Sequence, residues 1–374
     1  MLTIALKMLF GDRAKFLTLV VGITFSSMLM MFQGSLFCGL MLRTATNIFE
    51  TGAPIWVVDP KATSFNDVVD MKLSEVLRVR SVDGVQWAVP MSLHGAYAQS
   101  DAGETAAVQV IGVDDETLVG LPPTLGKGNL KDLNTPDGVI ITEVRSERFG
   151  KPDVGGYFEI NDKRVRVVGI LESKKSFAPF PIIYTAMSRV KELMPDKQRI
   201  VSFILVQPAK GESEAALCKR IEQQTNLKAV TLWEFVFMTM GFWADNTGIP
   251  VNLGMNLLMV AIIGTIITAQ TLYAFMLENL RQFGTFKAIG IQNWKLALMV
   301  LIQSLTVGVI GHALGAGIIA TIGLLNPENS QLAMYTPWQV VAATFVLVCL
   351  FCLFAALLSI LKVLRIDPAM VFRG

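Results

Sequence analysis

Side chains that ordinarily carry catalysis are sparse in this chain and poorly spaced for it. There are 2 histidines and 4 cysteines in 374 residues, and no Cys/His cluster stands at the spacing a zinc or haem site needs. Cys38, Cys349 and Cys352 fall inside long apolar stretches, which leaves Cys218 by itself in the polar part of the chain. No disulfide can form within that part. A G-x-S-x-G elbow, an H-E-x-x-H pair and paired carboxylates beside an apolar stretch are all missing. Gly126-Lys127-Gly128 has the Gly-Lys pairing of a phosphate loop, but the spacing departs from G-x-x-x-x-G-K-[ST] and the final hydroxyl is lacking. It reads as a turn. If this protein drives work, a partner hydrolyses the fuel.

The residues left to carry function lie between Glu278 and Lys295. Arg281 and Lys287 are polar, whereas Phe283, Phe286 and Ile289 form an apolar set, with Trp294 close by. Such a short amphipathic segment suits docking into a groove on another protein, and Gly284 and Gly290 can bend the chain at its ends. A solvated connector accounts for the charges but not for the phenylalanines; an interfacial anchor accounts only for the tryptophan. Gly308, Gly311 and Gly315 stand at helix-packing intervals, so backbones can approach closely there, either within one subunit or across a dimer. Gln33, Gln270, Gln303 and His312 sit in otherwise apolar surroundings. They either line a watery path or bond between helices.

The elements that must hold these residues follow from where charge is absent. Apolar residues make up 52% and charged residues 17%, with a mean hydropathy of +0.52; a soluble domain has about 25% charged residues. No Asp, Glu, Lys or Arg occurs between Lys15 and Arg43, Asp245 and Glu278, Lys295 and Glu328, or Glu328 and Lys362. Each gap exceeds the roughly 20 apolar residues that cross a ~30 Å hydrocarbon core. The expected plan is therefore an interfacial helix over 1–15, spans over 16–42, 246–278, 296–325 and 338–364, a polar domain over 43–245, a connecting segment over 279–295, a short loop over 326–337 and a tail over 365–374. The first span is about twice as long as a signal h-region and no A-x-A-like site follows it, so it reads as an uncleaved anchor.

Lys and Arg near the span ends set the orientation. Lys7, Arg13, Lys15, Arg281, Lys287, Lys295, Lys362, Arg365 and Arg373 mark one side, and Arg43 alone marks the other. Both termini are expected to be cytoplasmic. Residues 44–245 hold 22 basic against 26 acidic residues and the remainder 10 against 4. The basic excess is thus a topology signal and no footprint for nucleic acid.

Within the polar domain, short β-like runs alternate with turn signals: Ile55–Asp59, Gln86–Val89, Ala106–Val113, Val139–Val144, Tyr157–Ile160, Arg164–Leu171 and Ser202–Val206. Asn161-Asp162 reads as a tight hairpin turn. Helical periodicity marks Lys72–Val79, Ala186–Leu193 and Glu212–Gln224. An α+β domain with mixed sheets in two lobes is predicted, and the aromatic-rich Leu232–Trp243 continues from it toward the second span.

At this point the residues match a family. Glu278 through Gly290 (ENLRQFGTFKAIG) resembles the E-x-x-x-E/F-G-x-x-K-A-x-G signature that closes the second span of FtsX/MacB-type ABC transporter permeases. Gln282 stands where that signature carries Glu. The segment is most similar to the DevC-type subgroup, as are Gly22-Ile23 with Leu29-Met30-Met31-Phe32-Gln33, and the ending Arg365-Ile366-Asp367-Pro368-Ala369. Asp153-Val154-Gly155 before Val167-Val168-Gly169-Ile170 resembles a hairpin of the MacB-like periplasmic core domain.

The resemblance implies four spans with that core domain between the first two, in a multi-pass subunit of the inner membrane. It implies a non-catalytic permease, a homodimer working with a separate cytoplasmic ATPase that binds ATP and Mg, and no cofactor in this chain. Glu278, Arg281, Phe283, Gly284, Phe286, Lys287, Gly290 and Trp294 would then meet the ATPase. The spans would act as stiff rods, transmitting force to the exterior domain. In DevC-type systems that domain meets a periplasmic adaptor leading to an outer-membrane channel, and the cargo is an amphiphile such as a glycolipid. An FtsX-like regulator of an extracytoplasmic hydrolase, a same-fold exporter of haem or a small hydrophobe, and a membrane-anchored enzyme are the alternatives.

Overall fold

Inside lipid every backbone N–H and C=O must be satisfied within its own segment, so uncharged stretches of this length have to be helical. The structure, a computed structural model, describes residues 2–197, 200–326 and 332–364. The chain starts with α1 (Leu2–Gly11) and α2 (Arg13–Thr44). The segment Met41–Thr247 then forms one compact unit, and the helices on either side of it form another.

The inserted unit opens with α3 (Thr46–Thr51), which ends at Gly52 with a φ of +67°, a left-handed conformation that suits glycine. There follow β1 (Ile55–Val58), β2 (Met71–Lys72), α4 (Ser74–Arg80), β3 (Val85–Ser100) and β4 (Thr105–Val113). The middle holds β5 (Leu125–Gly128), β6 (Gly138–Thr142), β7 (Tyr157–Ile160), β8 (Lys163–Leu171), β9 (Ile182–Ala186) and α5 (Met187–Leu193). The unit closes with β10 (Ile200–Val201), β11 (Phe203–Pro208), α6 (Glu214–Thr225), β12 (Lys228–Thr231) and α7 (Leu232–Asn246).

Its two lobes share the 16-residue strand β3. In the first lobe the path β1-α4-β3, then β11-α6-β12, builds an antiparallel sheet in the order β12-β1-β11-β3. This is the split βαβ arrangement of ferredoxin-like folds, with the second lobe inserted between its second and third strands. Strand residues alternate faces. Ile55 and Val57 accordingly pack under α4 and α6 with Val76, Val79, Leu217 and Ile221. Trp56 and Val58 face the other way, onto Phe65, Phe203 and Phe235.

The second lobe closes on itself. β3 pairs with β4, β4 with β9, β9 with β6, β6 with β8, β8 with β7, and β7 returns to the end of β3. The six strands make a barrel, which removes the open edges that would invite aggregation. Alternate residues fill it: Ala96 and Ala98, Val108 and Val110, Val139 and Ile141, Phe158 and Ile160, Val165 and Val167, with Ile183. Their neighbours Ile111, Ile140, Val168 and Tyr184 point outward into the core shared with the first lobe. Asn161 and Asp162, at φ +46° and +63°, make the β7–β8 turn.

Six strands differ from the sequence reading: β2, β5 and β10 have no counterpart in it, and β5, paired with β8, takes in Gly126-Lys127-Gly128, which the sequence reading made a turn. β3 runs far beyond Gln86–Val89, because Pro90 and Gly95 disguise it and residues 88–94 are all buried, without alternation. β9 shows no alternation, since all five of its residues are buried. β12 is four residues long and runs straight into α7, where Thr231 and Glu234 form a capping box.

Beyond the inserted unit lie α8 (Ile249–Glu278), α9 (Leu280–Ala288), α10 (Asn293–Leu325) and α11 (Trp338–Leu364). Helices α2, α8, α10 and α11 are long and apolar enough to cross a membrane. The Arg365–Ala369 motif lies outside the described residues.

Candidate functional site

Glycines decide how closely the spans of the helical unit approach. A Cβ added at Gly311 would stand 2.8 Å from Ile23 Cγ2 and 3.2 Å from the Thr24 backbone nitrogen; one at Gly315 would stand 3.1 Å from Thr24 O and Met28 N. α10 therefore rests on the backbone of α2. A Cβ at Gly308 would meet Cys352 Sγ on α11 at 2.8 Å. Of the two readings the spacing allowed for these glycines, packing within the chain accounts for all three contacts. Gly39, overlooked in the sequence because it has no partner at i+4, lies against the backbone of Ala333.

Two of the intramembrane polar groups also bond between helices. Gln303 Nε2 donates to Ala5 O at 3.0 Å, fixing α1 to α10, and His312 Nδ1 lies 2.9 Å from Ser27 Oγ on α2. Gln270 is different: it is exposed and lines a groove of about 300 Å³ with Lys15, Thr18, Thr271 and Glu278. At the mouth of that groove Lys15 Nζ sits 3.3 Å from both Glu278 Oε2 and Asp12 Oδ2. An ion pair this exposed adds little to stability.

The segment following Glu278 owes its shape to Asn279, which is buried and whose Nδ2 donates to Phe275 O at 2.7 Å. That bond closes α8 and lets α9 begin on a new axis. Phe283 and Gly284 face inward, Phe286 and Lys287 are half-buried, and Arg281, Gln282 and Thr285 are exposed. Phe283 has no exposed surface and belongs to the helical core with Phe275, Leu296 and Met299. Here the structure corrects the sequence reading, in which Phe283 is part of an apolar face presented to a partner. An amphipathic helix lying on its own bundle spends its largest apolar side chain on that bundle. The exposed apolar residues are instead Ile289, 74% exposed, and Trp294, 62% exposed. They flank the turn at Gly290, whose φ is +91°. Trp294 Nε1 donates to Gln292 Oε1 at 2.7 Å, and Lys295 Nζ lies 5.7 Å from its ring centre.

Among its described residues, the inserted unit assembles nothing resembling a catalytic set. Among the described residues no group of three or more His, Cys, Asp or Glu could hold a metal. Cys218 is buried in α6, and burial pushes its thiol up to about 12. It is therefore no reporter of which side of a membrane the unit occupies. A cleft of about 490 Å³ is lined by His94, Asn161, Lys163, Glu192 and Met194 among others.

One carboxyl stands out. Glu50 lies near the end of α3 with Oε1 accepting the Lys174 N–H at 2.5 Å, while Oε2 is buried with no hydrogen-bond partner among the described residues. Burial raises it from 4.5 to about 7. Because the folded state holds the proton more tightly than the unfolded chain, the stability this group confers is complete below pH 4.5 and is lost as pH rises to about 7. The expected loss is about 2–3 kcal/mol. Thermal denaturation of the whole chain at stepped pH should show it, and Glu50→Gln should flatten the profile over that window.

The comparisons with known proteins fit this architecture. Residues 254–368 match the FtsX-like permease C-terminal family, and residues 16–224, more than half the chain, match the MacB-like periplasmic core domain. The chain belongs to the FtsX/MacB family of ABC-transporter permeases. Permeases of this family generally carry no catalysis themselves and typically work with an ATPase partner. The four apolar helices make this one a multi-pass membrane protein. No curated protein matches it. Among solved structures, it is similar to the extracellular domain of the noncanonic ABC-type transporter YknZ from Gram-positive bacteria. Identity there is 14%, with 48% of this chain and 98% of that one covered and a TM-score of 0.37. It is also similar to the periplasmic region of MacB from Actinobacillus actinomycetemcomitans, at 14% identity over 52% of this chain and 94% of that one, with a TM-score of 0.38.

Proposed function

We propose that this permease is the transmembrane half of an ATP-driven exporter and couples to its ATPase through the outer surface of α9 and the turn that follows. The observation carrying the proposal is the exposed pair Ile289 and Trp294, set beside Arg281 and Lys287 and placed between two spans. Apolar anchors ringed by charge are what a protein groove takes up, and water alone gives them no reason to stay exposed. α1, tied to α10 through Gln303, moves with that surface.

On this reading both termini and α9 are cytoplasmic, in the inner membrane, and two copies bind two ATPases. Glu278, Gly284 and Gly290 shape the coupling segment, while Phe283 and Phe286 anchor it to the spans. Closure of the ATPases pushes the spans as rods, and the inserted unit changes shape on the far side. A DevC-like assembly with a periplasmic adaptor, an outer-membrane channel and an amphiphilic cargo such as a glycolipid follows from the motif likeness. ATP and Mg stay with the partner.

Co-purification with a co-expressed cytoplasmic ABC ATPase tests the site. The double variant Ile289→Asp/Trp294→Asp should insert normally yet lose at least about tenfold in ATPase capture, as hot-spot anchors do. Unchanged capture would remove these residues from the interface.

A further inference from the structure

Gln270 is exposed on α8 and has no hydrogen-bond partner among the described residues. Its polar neighbours differ. Thr18 donates to Ala14 O at 3.0 Å and Thr271 to Ile267 O at 2.8 Å, each within its own helix. An amide turned toward hydrocarbon is costly unless something bonds to it. What lies in front of this one is the groove of about 300 Å³ between α2 and α8. The two helices meet there inside the helical unit: a Cβ at Gly22 would stand 3.1 Å from Thr271 Cγ2.

One end of the groove is charged. Lys15 Nζ holds Asp12 and Glu278 at 3.3 Å each. Two carboxylates therefore share one ammonium, and one negative charge is left in excess. The Glu278 and Asp12 side chains remain 53% and 46% exposed, so their oxygens can accept from a second ammonium.

The depth of this end follows from the two helices alone. Lys15 immediately precedes the uncharged stretch that opens at Phe16, and Glu278 immediately follows the one that closes at Leu277. Their pairing marks the edge of the hydrocarbon. Gln270 stands two turns before Glu278, about 12 Å further in along α8, on the face it shares with Ala274. In a phospholipid that distance leads from the headgroup amine past the phosphate to the glycerol esters, whose carbonyls accept an amide N–H. Beyond Gln270 the same face is apolar and exposed, with Ile266 and Ile262.

We propose that this groove seats one phospholipid with a primary-amine headgroup, of the phosphatidylethanolamine class. Its ammonium lies between Asp12 and Glu278, its phosphate meets Lys15, an ester carbonyl accepts from Gln270, and an acyl chain follows Ile266 and Ile262. A trimethylated amine has the same charge but no N–H to donate and more bulk. Phosphatidylglycerol brings negative charge to a site already negative. The inference depends on the chain spanning a bilayer and on no ATPase, so it stands or falls apart from the coupling surface.

Native mass spectrometry of the full-length permease provides the test, after release from nanodiscs of equal parts phosphatidylethanolamine, phosphatidylcholine and phosphatidylglycerol with matched acyl chains. One phosphatidylethanolamine per chain should be retained, enriched about threefold or more over either competitor, a ratio within what one exposed ion pair supplies. Asp12→Asn/Glu278→Gln leaves Lys15 as the charge lining the groove and should pass the preference to phosphatidylglycerol. Gln270→Leu should weaken retention without changing which lipid is preferred. Retention in proportion to the mixture overturns the proposal, and that comparison needs no variant. A preference for phosphatidylethanolamine that survives the double variant overturns it as well. A benzoylphenylalanine photo-crosslinker in place of Tyr273, which is 39% exposed and adjoins Ala274 of the groove lining, should capture phosphatidylethanolamine above its share of the membrane. Capture only of a second copy of the chain would place a protein in the groove and sink the lipid assignment.

Discussion

Gly311→Leu should destabilise the helical unit by about 3 kcal/mol or more, at the upper end of what overpacking costs. The first added carbon would already meet Ile23 Cγ2 at 2.8 Å and the Thr24 nitrogen at 3.2 Å. A methyl group on Ile23 can rotate away, but a backbone nitrogen within a membrane helix cannot. α2 and α10 would have to separate, taking with them the 2.9 Å contact between His312 and Ser27. Gly317→Leu is the control, because a Cβ there meets nothing within 4 Å; it should change stability by less than about 0.5 kcal/mol. Unfolding in mixed detergent, followed by circular dichroism, distinguishes the two. If Gly311→Leu is as stable as the parent, the close packing of α2 on α10 is wrong.

Trp56→Ala is expected to have an effect at least as large in the inserted unit. The indole is fully buried, with Phe235, Phe203 and Phe65 at ring separations of 5.0, 5.4 and 6.0 Å, and its Nε1 donates to Ala53 O at 3.1 Å. Truncation removes the ring that joins β1, β11 and α7 and leaves a void bounded by three other rings, for which about 3–5 kcal/mol is typical. In a unit of this size that corresponds to a fall in Tm of about 10–15 °C. Leu77→Ala, at a position 65% exposed on α4, should move the same transition by no more than a degree or two on that scale. Scanning calorimetry of the whole chain reads both. A Trp56→Ala transition near the parental one would mean that this face of the sheet is not the core.

The interplay of these residues shows which parts of the protein can be read locally. Amphipathic α6 was visible as Ala215, Leu217 and Ile221 against Lys219, Arg220 and Gln224, because helical periodicity needs only a dozen adjacent residues. The β7–β8 hairpin was visible for the same reason: Asn161-Asp162 names its own turn. β9 was not, because a strand buried on both faces loses the alternation that betrays a strand. The glycines of α10 announced a close approach without naming Ile23 and Thr24 as the atoms approached. Phe283 illustrates the limit best. Its apolar character was plain, but whether it faced a partner or its own bundle depended on how α9 came to lie after Asn279 bent the chain.

By itself the sequence determined the four long helices, the large unit inserted after the first of them and the amphipathic segment after the second. The free energies behind these features, transfer into lipid and periodic burial of side chains, are summed over residues that are neighbours along the chain. Only the tertiary structure decided that six strands close into a barrel, that Glu50 accepts the distant Lys174 N–H, and that Arg145 reaches the carbonyls of Ser176 and Ala178. Each of those depends on groups far apart along the chain, and no local pattern records which distant atom fills a given space.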